Sequence, residues 1–359
     1  MFRRLVNELT INITIQSQGE SAILVKDGRY TAEVKKKLAD AAAPLRNYLP
    51  DALFMGTDPL SSVEAALLEA RPRGNEPVQL ESMIGGLKKL HYYIPGSSVR
   101  GAWRSHLEKV LRSLDDDQSR VCDPLVVEKD ANPEFPALRS CSEVLANEDE
   151  ERPEFPYRDS CPVCRLFGNT ATGGRLWFSD CVHRAGNPDL IDGISISRFT
   201  GSVSNKYKIM ALRKARFEFT LRLRNFELWH AGLLGHLFDD LGTGRVPLGS
   251  GRSKGMGAVT ATATKIELTE FGTKALASDG KLRGMGERCT SQEISNYGFL
   301  TGALLPAIGV QKMESPPWRH LYSVTEIPSF WAAVKPCFNE KTWGQMRTLN
   351  QRRMAVEHA

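Results

Sequence analysis

Apolar and polar residues alternate without a break from Leu9 to Gln16. Leu9, Ile11, Ile13 and Ile15 fall on one side and Thr10, Asn12, Thr14 and Gln16 on the other. A two-residue period of this kind predicts a strand with one face in a core and one in solvent. A second alternation sets Phe217, Phe219, Leu221 and Leu223 against Arg216, Glu218, Thr220, Arg222 and Arg224, so its outward face is mostly cationic. Residues 176–178 and the threonine-rich 259–268 are further strand candidates. Helical spacing appears twice. After the turn pair Pro95 and Gly96, Ser97 or Ser98 can cap a helix whose stripe is Val99, Trp103, Leu107, Val110, Leu111 and Leu114, with Arg100, Arg104 and Arg112 off it. Trp229, Leu233, Leu234, Leu237 and Leu241 repeat the design over 227–241.

In chain order these elements give strand, helix, strand, strand, helix, strand. A βαββαβ succession is the signature of an α+β, ferredoxin-like core. Two large inserts interrupt it, at 27–90 and 115–174. The expected domain spans 1–268. Residues 269–359 form a C-terminal extension with Trp318, Trp331 and Trp343 but no usable periodicity, ending in a basic tail.

The chain has 359 residues, 41% hydrophobic and 25% charged, which is enough to bury a substantial core. A net charge of +5 permits a nucleic-acid partner without requiring one. Its distribution says more. Seven cations (Lys206, Lys208, Arg213, Lys214, Arg216, Arg222, Arg224) and a single acid, Glu218, lie between 206 and 224, while acids cluster at 115–117 and 148–151. One cationic surface is expected. No apolar run is long enough to cross a bilayer, and 1–16 lack a hydrophobic core followed by a small-residue cleavage site, so neither a membrane span nor a signal peptide is expected. A reducing, cytoplasmic setting follows, in which cysteines favour metal over disulfides.

Cys161 and Cys164 form a CxxC knuckle, and Cys122 and Cys141 precede it within the same polar, proline-rich insert. Four thiolates suit tetrahedral Zn²⁺, which would hold together a segment with little apolar material. Cys181 and His183 are alternative ligands, and Cys289 and Cys337 read as ordinary buried thiols. The second chemical signal is VPLGSGRSKGMGAV at 246–259. Gly249, Gly251, Gly255 and Gly257, with Gly244 upstream, surround Arg252 and Lys254 just before a strand. Glycine backbone can approach an anion closely while Arg and Lys supply charge, so this loop reads as a phosphate cradle rather than a plain hairpin.

Four blocks in this order, IPGSSVRGAWRSHLEKVL (94–111), CPVCRLFGNT (161–170), RFTG (198–201) and the glycine loop, resemble the RAMP superfamily, specifically the backbone subunits of type III CRISPR effector complexes. The resemblance spans about residues 9–268. It implies an RRM-related core that grips CRISPR guide RNA alongside other RAMP subunits, with a β-hairpin thumb that interrupts the duplex with single-stranded target RNA. Ser97, Ser98, Arg100 and Arg104 are similar to guide-backbone contacts, as are Gly249, Gly251, Arg252 and Lys254. Residues 198–210, with Arg198, Lys206 and Lys208, are similar to the thumb. The resemblance also implies cleavage of target RNA by one aspartate between the first strand and first helix, helped by Mg²⁺ or another divalent cation. Asp58, in Gly56-Thr57-Asp58-Pro59, is the first candidate, Asp27 the second and Asp51 a distant third. The alternatives are an inactive structural RNA-binding subunit, or an endonuclease trimming the guide precursor with His91 or His106 as base.

Overall fold

The computed structural model describes residues 4–72, 76–114, 120–124, 140–146, 154–272, 281–301, 305–306 and 309–346. The acidic runs at 115–117 and 148–151 and the basic tail lie outside the described residues.

The first alternation becomes strand β1 (Asn7–Ser17). Leu9, Ile11, Ile13 and Ile15 are buried and oppose Leu223, Leu221, Phe219 and Phe217 on one neighbour, and Leu268, Ile266, Ala263 and Ala261 on the other. A register shift between Asn12 and Ile13 keeps these apolar sets on one face. The chain continues through β2 (Ala22–Ile23), α1 (Ala32–Ala41), α2 (Leu60–Leu68), α3 (Leu80–Leu87), β3 (Tyr93–Ile94) and α4 (Gly96–Arg112). Next come α5 (Cys141–Ala146), α6 (Pro156–Asp159), α7 (Pro162–Phe167), β4 (Leu176–Phe178), β5 (Cys181–Ile196), β6 (Val203–Arg224), α8 (Leu228–Gly242) and β7 (Val259–Phe271). The C-terminal part adds β8 (Lys281–Leu282), α9 (Ser291–Tyr297), β9 (Leu305–Pro306), β10 (Val310–Met313), β11 (Arg319–Val324), α10 (Ile327–Val334) and α11 (Glu340–Gly344).

The fold is mixed α/β around an antiparallel sheet of order β10-β11-β7-β1-β6-β5-β3, with β2 and β4 also on β6. Strands β8 and β9 pair separately. Both long helices pack on one face. The Trp103 ring of α4 lies 5.4 Å from Phe178 of β4, 5.9 Å from Phe219 of β6 and 5.9 Å from Phe238 of α8, all edge-on. Such T-shaped contacts favour one relative placement of the four elements. On the opposite face Asn12, Gln16, Arg216 and Arg224 stay exposed. Helix α4 begins two residues earlier than a Ser97 cap would place it, and three earlier than a Ser98 cap. Pro95 is the N-cap without a side-chain bond, and Ser97 and Ser98 lie inside the first turn. Leu114, placed on the apolar stripe by spacing, is 47% exposed beyond the helix end.

Strands β5 and β6 form a long hairpin, paired from Val182–Glu218 out to Ile196–Val203. The second sequence alternation is only the inner half of β6. Beyond the bridge between Ala52 and Ile209 the two strands pair, among the described residues, only with each other. Exposed Ile194, Ile196, Phe199 and Val203 mark the outer end.

Residues after 268 join the same sheet and core. Strand β11 pairs with β7, and Phe330, Trp331 and Val334 of α10 are buried. Trp331 stacks on Phe238 at 4.9 Å, and Lys335 pairs with Asp239 at 2.7 Å. A Cβ at Gly232 would lie 2.7 Å from the Phe338 nitrogen and 2.9 Å from the Val334 oxygen. Helix α8 is therefore covered on both sides, by the sheet and by the C-terminal segment. We expect Trp331→Ala to cost about 3–5 kcal/mol in denaturant unfolding; an unchanged midpoint would show that this segment is not part of the core.

Candidate functional site

Cys122, Cys141, Cys161 and Cys164 are all buried, with their sulfurs within 4.8 Å of one another. Cys122 Sγ is 3.6 Å from both Cys161 Sγ and Cys164 Sγ. A tetrahedral ion with metal–sulfur bonds of about 2.3 Å places its sulfurs about 3.8 Å apart, so this set fits zinc. Cys161 N-caps α7 through its sulfur, which accepts the Cys164 N–H at 3.4 Å, with Pro162 at the first helical position. Cys141 Sγ accepts the Cys161 N–H at 3.3 Å. The CxxC spacing thus makes a helix start, and the knuckle supplies both ligands and donors. The donor set is complete without Cys181 or His183. Cys181 lies opposite Ile94, and burial pushes its thiol up to about 12. His183 packs 5.2 Å from Phe217, and burial lowers its pKa. Cys289 and Cys337 are partly exposed rather than buried.

The arginines off the apolar stripe of α4 point into this insert. Arg100 donates to the Phe167 carbonyl. Arg104 pairs with Glu108 at 2.8 Å and donates to the Gly168 carbonyl at 3.0 Å and to Cys164 Sγ at 3.3 Å. Arg112 donates to the Cys122 carbonyl at 2.6 Å. Sequence spacing places these cations on one side of α4, but nothing local shows that a segment tens of residues away packs there. At the start of the helix, the Gly96 N–H is bonded to Asp180 Oδ1 at 2.9 Å, while Ser97 is exposed.

The glycine loop is anchored to β2 and its following residues. The Ser250 N–H donates to the Leu24 carbonyl at 2.7 Å and the Gly257 N–H to the Ala22 carbonyl at 2.8 Å. Gly249 has φ +89°, and a side chain there would run into the Leu24 carbonyl. A short 3-10 turn, Arg252–Lys254, sits between left-handed Gly251 and Gly255 with both cations exposed. Arg252 Nε donates to the Gly249 carbonyl at 3.1 Å. Lys254 Nζ donates to Tyr207 Oη at 2.6 Å and lies 4.2 Å from that ring's centre, which ties the loop to the hairpin. Much of the loop's backbone is thus spent on its own anchoring, and its outward charge comes from side chains. On the hairpin, Arg198 and Lys206 are exposed, whereas Lys208 is paired with Asp192.

The three aspartates have different surroundings. Asp27 is 5% exposed and clamped by Arg29, with Nη2–Oδ2 at 2.6 Å and Nε–Oδ1 at 2.9 Å. Burial pushes its pKa up, but the Arg29 hydrogen bonds and charge outweigh this and hold it below the usual value. Arg29 also donates to the Gly56 carbonyl at 2.6 Å and the Asp58 carbonyl at 3.0 Å, so one guanidinium joins both loops. Asp58 Oδ2 accepts the His91 N–H at 2.5 Å, and Oδ1 lies 3.3 Å from His91 Nδ1. Its pKa too is lowered, as these bonds outweigh burial. Asp51 pairs with Lys35 at 2.6 Å and accepts the Lys208 N–H at 2.7 Å; these outweigh burial and lower its pKa. A cleft of about 620 Å³ opens beside Asp58, lined by Arg29, Gly56, Thr57, His91, Tyr93 and Asp180. The His91 side chain is 80% exposed, whereas His106 is bound to Asp240 at 2.8 Å between α4 and α8. The Arg29 clamp has no signature in the sequence beyond its proximity to Asp27.

A model of the RAMP superfamily matches residues 52–260. That is more than half of the chain, and the chain belongs to the RAMP superfamily. Membership makes it a CRISPR-associated RNA-binding protein of a family whose members bind CRISPR RNA and other subunits. No curated protein matches it. Among the described residues, no helix is long and apolar enough to cross a membrane.

Two outcomes follow for the site. Elemental analysis should find one zinc per chain, and chelation or Cys161→Ser should lower the melting temperature; zinc retention should fall with acid, because the thiols must lose protons to bind. A chelator that removes no metal and leaves stability unchanged would rule out a metal centre. The depressed Asp27 pKa contributes stability above its unfolded pKa, which is lost as pH falls through the folded one. Asp27→Asn should therefore cost about 1–3 kcal/mol at neutral pH and flatten the acid limb of the stability profile.

Proposed function

We propose that this chain is a CRISPR RNA-binding backbone subunit of a type III effector complex, built on a ferredoxin-like, RRM-related core, that cleaves guide-paired target RNA. The observation that carries the reading is the β5–β6 hairpin. It leaves the sheet with exposed Arg198, Phe199 and Ile196 at its end, as a thumb inserted into a duplex requires. Three features support it. Strands β7, β1, β6 and β4 lie side by side and antiparallel, with α4 between β1 and β4 and α8 between β6 and β7 in the chain, as a βαββαβ core requires. Arg252 and Lys254 form an exposed cationic turn joined to the hairpin at Tyr207. The knuckle and α4 are locked together near the helix start.

Guide-backbone contacts come from Ser97, Ser98, Arg198, Lys206, Gly249, Gly251, Arg252 and Lys254. Arg100, Arg104 and Lys208, bonded within the chain, set the shape of that surface. Asp58 is the preferred catalytic aspartate, because Asp27 is spent on Arg29. The chemistry is in-line attack of a ribose 2′-OH on the adjacent phosphorus: the new 2′-O–P bond forms as the P–O5′ bond breaks, the 2′ proton is lost and the departing 5′-oxygen gains one, leaving a 2′,3′-cyclic phosphate and a 5′-hydroxyl. Asp58 positions the reacting groups, and a divalent cation, when bound, would offset phosphate charge. The zinc is structural. A second reading, a subunit that binds guide RNA without cleaving, is favoured by one observation: both Asp58 oxygens already engage His91.

Asp58→Ala in the assembled, guide-loaded complex separates the two. Loss of cleavage opposite this subunit with the guide retained is expected; unchanged cleavage leaves the structural reading. A discrete guide-sized RNA should co-purify with the chain, and its absence at low salt would count against both.

A further inference from the structure

We propose that the open face of the sheet, centred on Trp177 and Arg222, is a second binding site for single-stranded RNA, separate from the groove at the glycine loop. The inference rests on the RNA-binding part of the reading above and not on cleavage.

Among the described residues, the helices cover one face of the strands only. On the other, the registers place Trp177 beside Arg222 and Thr10, Thr220 beside Asn12, Val182 and Glu218 beside Thr14, and Arg216 beside Gln16. Trp177 is 48% exposed although it sits on a strand beside the core, and Val182 is 49% exposed. The Arg222 guanidinium lies 5.2 Å from the centre of the Trp177 ring, which holds a flat cation and a flat aromatic together. Those are the two surfaces on which unpaired bases stack.

Charge on this face has a net sign. Arg184 pairs with Glu218 at 2.9 Å, Arg224 with Glu8 at 2.5 Å and Lys265 with Glu267 at 2.7 Å. Among the described residues, no acid pairs with Arg216 or Arg222, so two guanidiniums remain for an anion. They are six residues apart on β6, about 20 Å at the rise of a strand, with threonine and amide side chains between them on the adjoining strand. A row of hydrogen-bonding groups with separated cations and one stacking platform fits a polyanion bearing unpaired bases. It fits a protein partner poorly, since the centre of a protein interface is depleted of charge and here, among the described residues, only Trp177 and Val182 are exposed apolar groups.

The test uses the full chain and Trp177→Ala, a surface change that leaves Trp103 and the core intact. Binding of a short fluorescent oligouridine, followed by anisotropy, should weaken about tenfold or more. Arg216→Ala should reduce the slope of log affinity against log salt by about 1. Photo-crosslinking with thiouridine RNA should mark the peptide containing Trp177, and the mark should persist when Arg252 and Lys254 are both changed to Ala. Labelling guide or target in turn identifies which strand lies there. RNA that binds and co-purifies with no mark at Trp177 and no loss on Trp177→Ala overturns the inference while the guide-binding reading stands. A chain that binds no RNA overturns both. If Trp177→Ala alters assembly with other subunits and leaves RNA binding unchanged, the face belongs to a protein interface and the inference fails.

Discussion

Arg104 reaches from α4 to the Gly168 carbonyl and the Cys164 sulfur while Trp103, the preceding residue, is driven into the sheet. These opposed contacts mean that the knuckle can close on its four thiols only where α4 already lies. A guanidinium beside a thiolate also offsets negative charge that a buried four-cysteine site would otherwise concentrate. Metal binding at these four cysteines would therefore share one equilibrium with helix placement. The start of α4, with Asp180 on the Gly96 N–H, is fixed by groups that serve the insert and the sheet at once.

A buried polar cluster extends this coupling to the rest of the chain. Glu227 is fully buried at the cap of α8; it accepts from Tyr157 of α6 and from the Leu300 N–H at 2.5 Å. His230 Nδ1 accepts the Glu227 N–H at 3.0 Å, so the ring is a neutral tautomer, consistent with a pKa lowered by burial and then by Arg175 and Arg165. Arg175 and Arg165 lie over the Tyr157 ring at 4.5 and 5.4 Å. Buried charge of this kind is tolerated only when every partner is present, so breaking one contact strands the others. The insert, α8 and the C-terminal segment are joined here although they are far apart in sequence.

Legibility in the sequence follows how local each signal is. The alternation at Leu9–Ile15 and the stripe at Val99–Leu111 gave the right elements because one side of each faces the core. Strand β5 has no signature in the sequence, since most of it is exposed and carries polar residues in no simple period, and nearly all of its pairing is to β6, with only Cys181 and Val182 also meeting β3. Strand β11 and helix α10 were unreadable for a related reason: β11 gains its place from β7 and α10 from α8, while β10, mostly exposed, gains its place by pairing with β11. The cysteine set was legible because zinc chemistry restricts residue types so strongly. The Arg104 and Arg29 contacts were not, since an arginine bonded to a distant carbonyl looks, in sequence, like any solvated one.

The glycine loop and the hairpin are one mechanical unit. Lys254 grips Tyr207 from one side, and Asp51 accepts the Lys208 N–H from another, within two residues along β6. Arg213 adds a pair with Asp189 across the hairpin and a bond to the Glu20 carbonyl at 2.6 Å. The base of the hairpin is thereby held in direction while its tip has no described neighbour. A stem fixed at one end and free at the other can transmit orientation without imposing a contact. Any polymer held by Arg252 and Lys254 consequently meets the hairpin at a set angle, and this geometry, more than the charge of the loop, is what the five glycines between 244 and 257 secure.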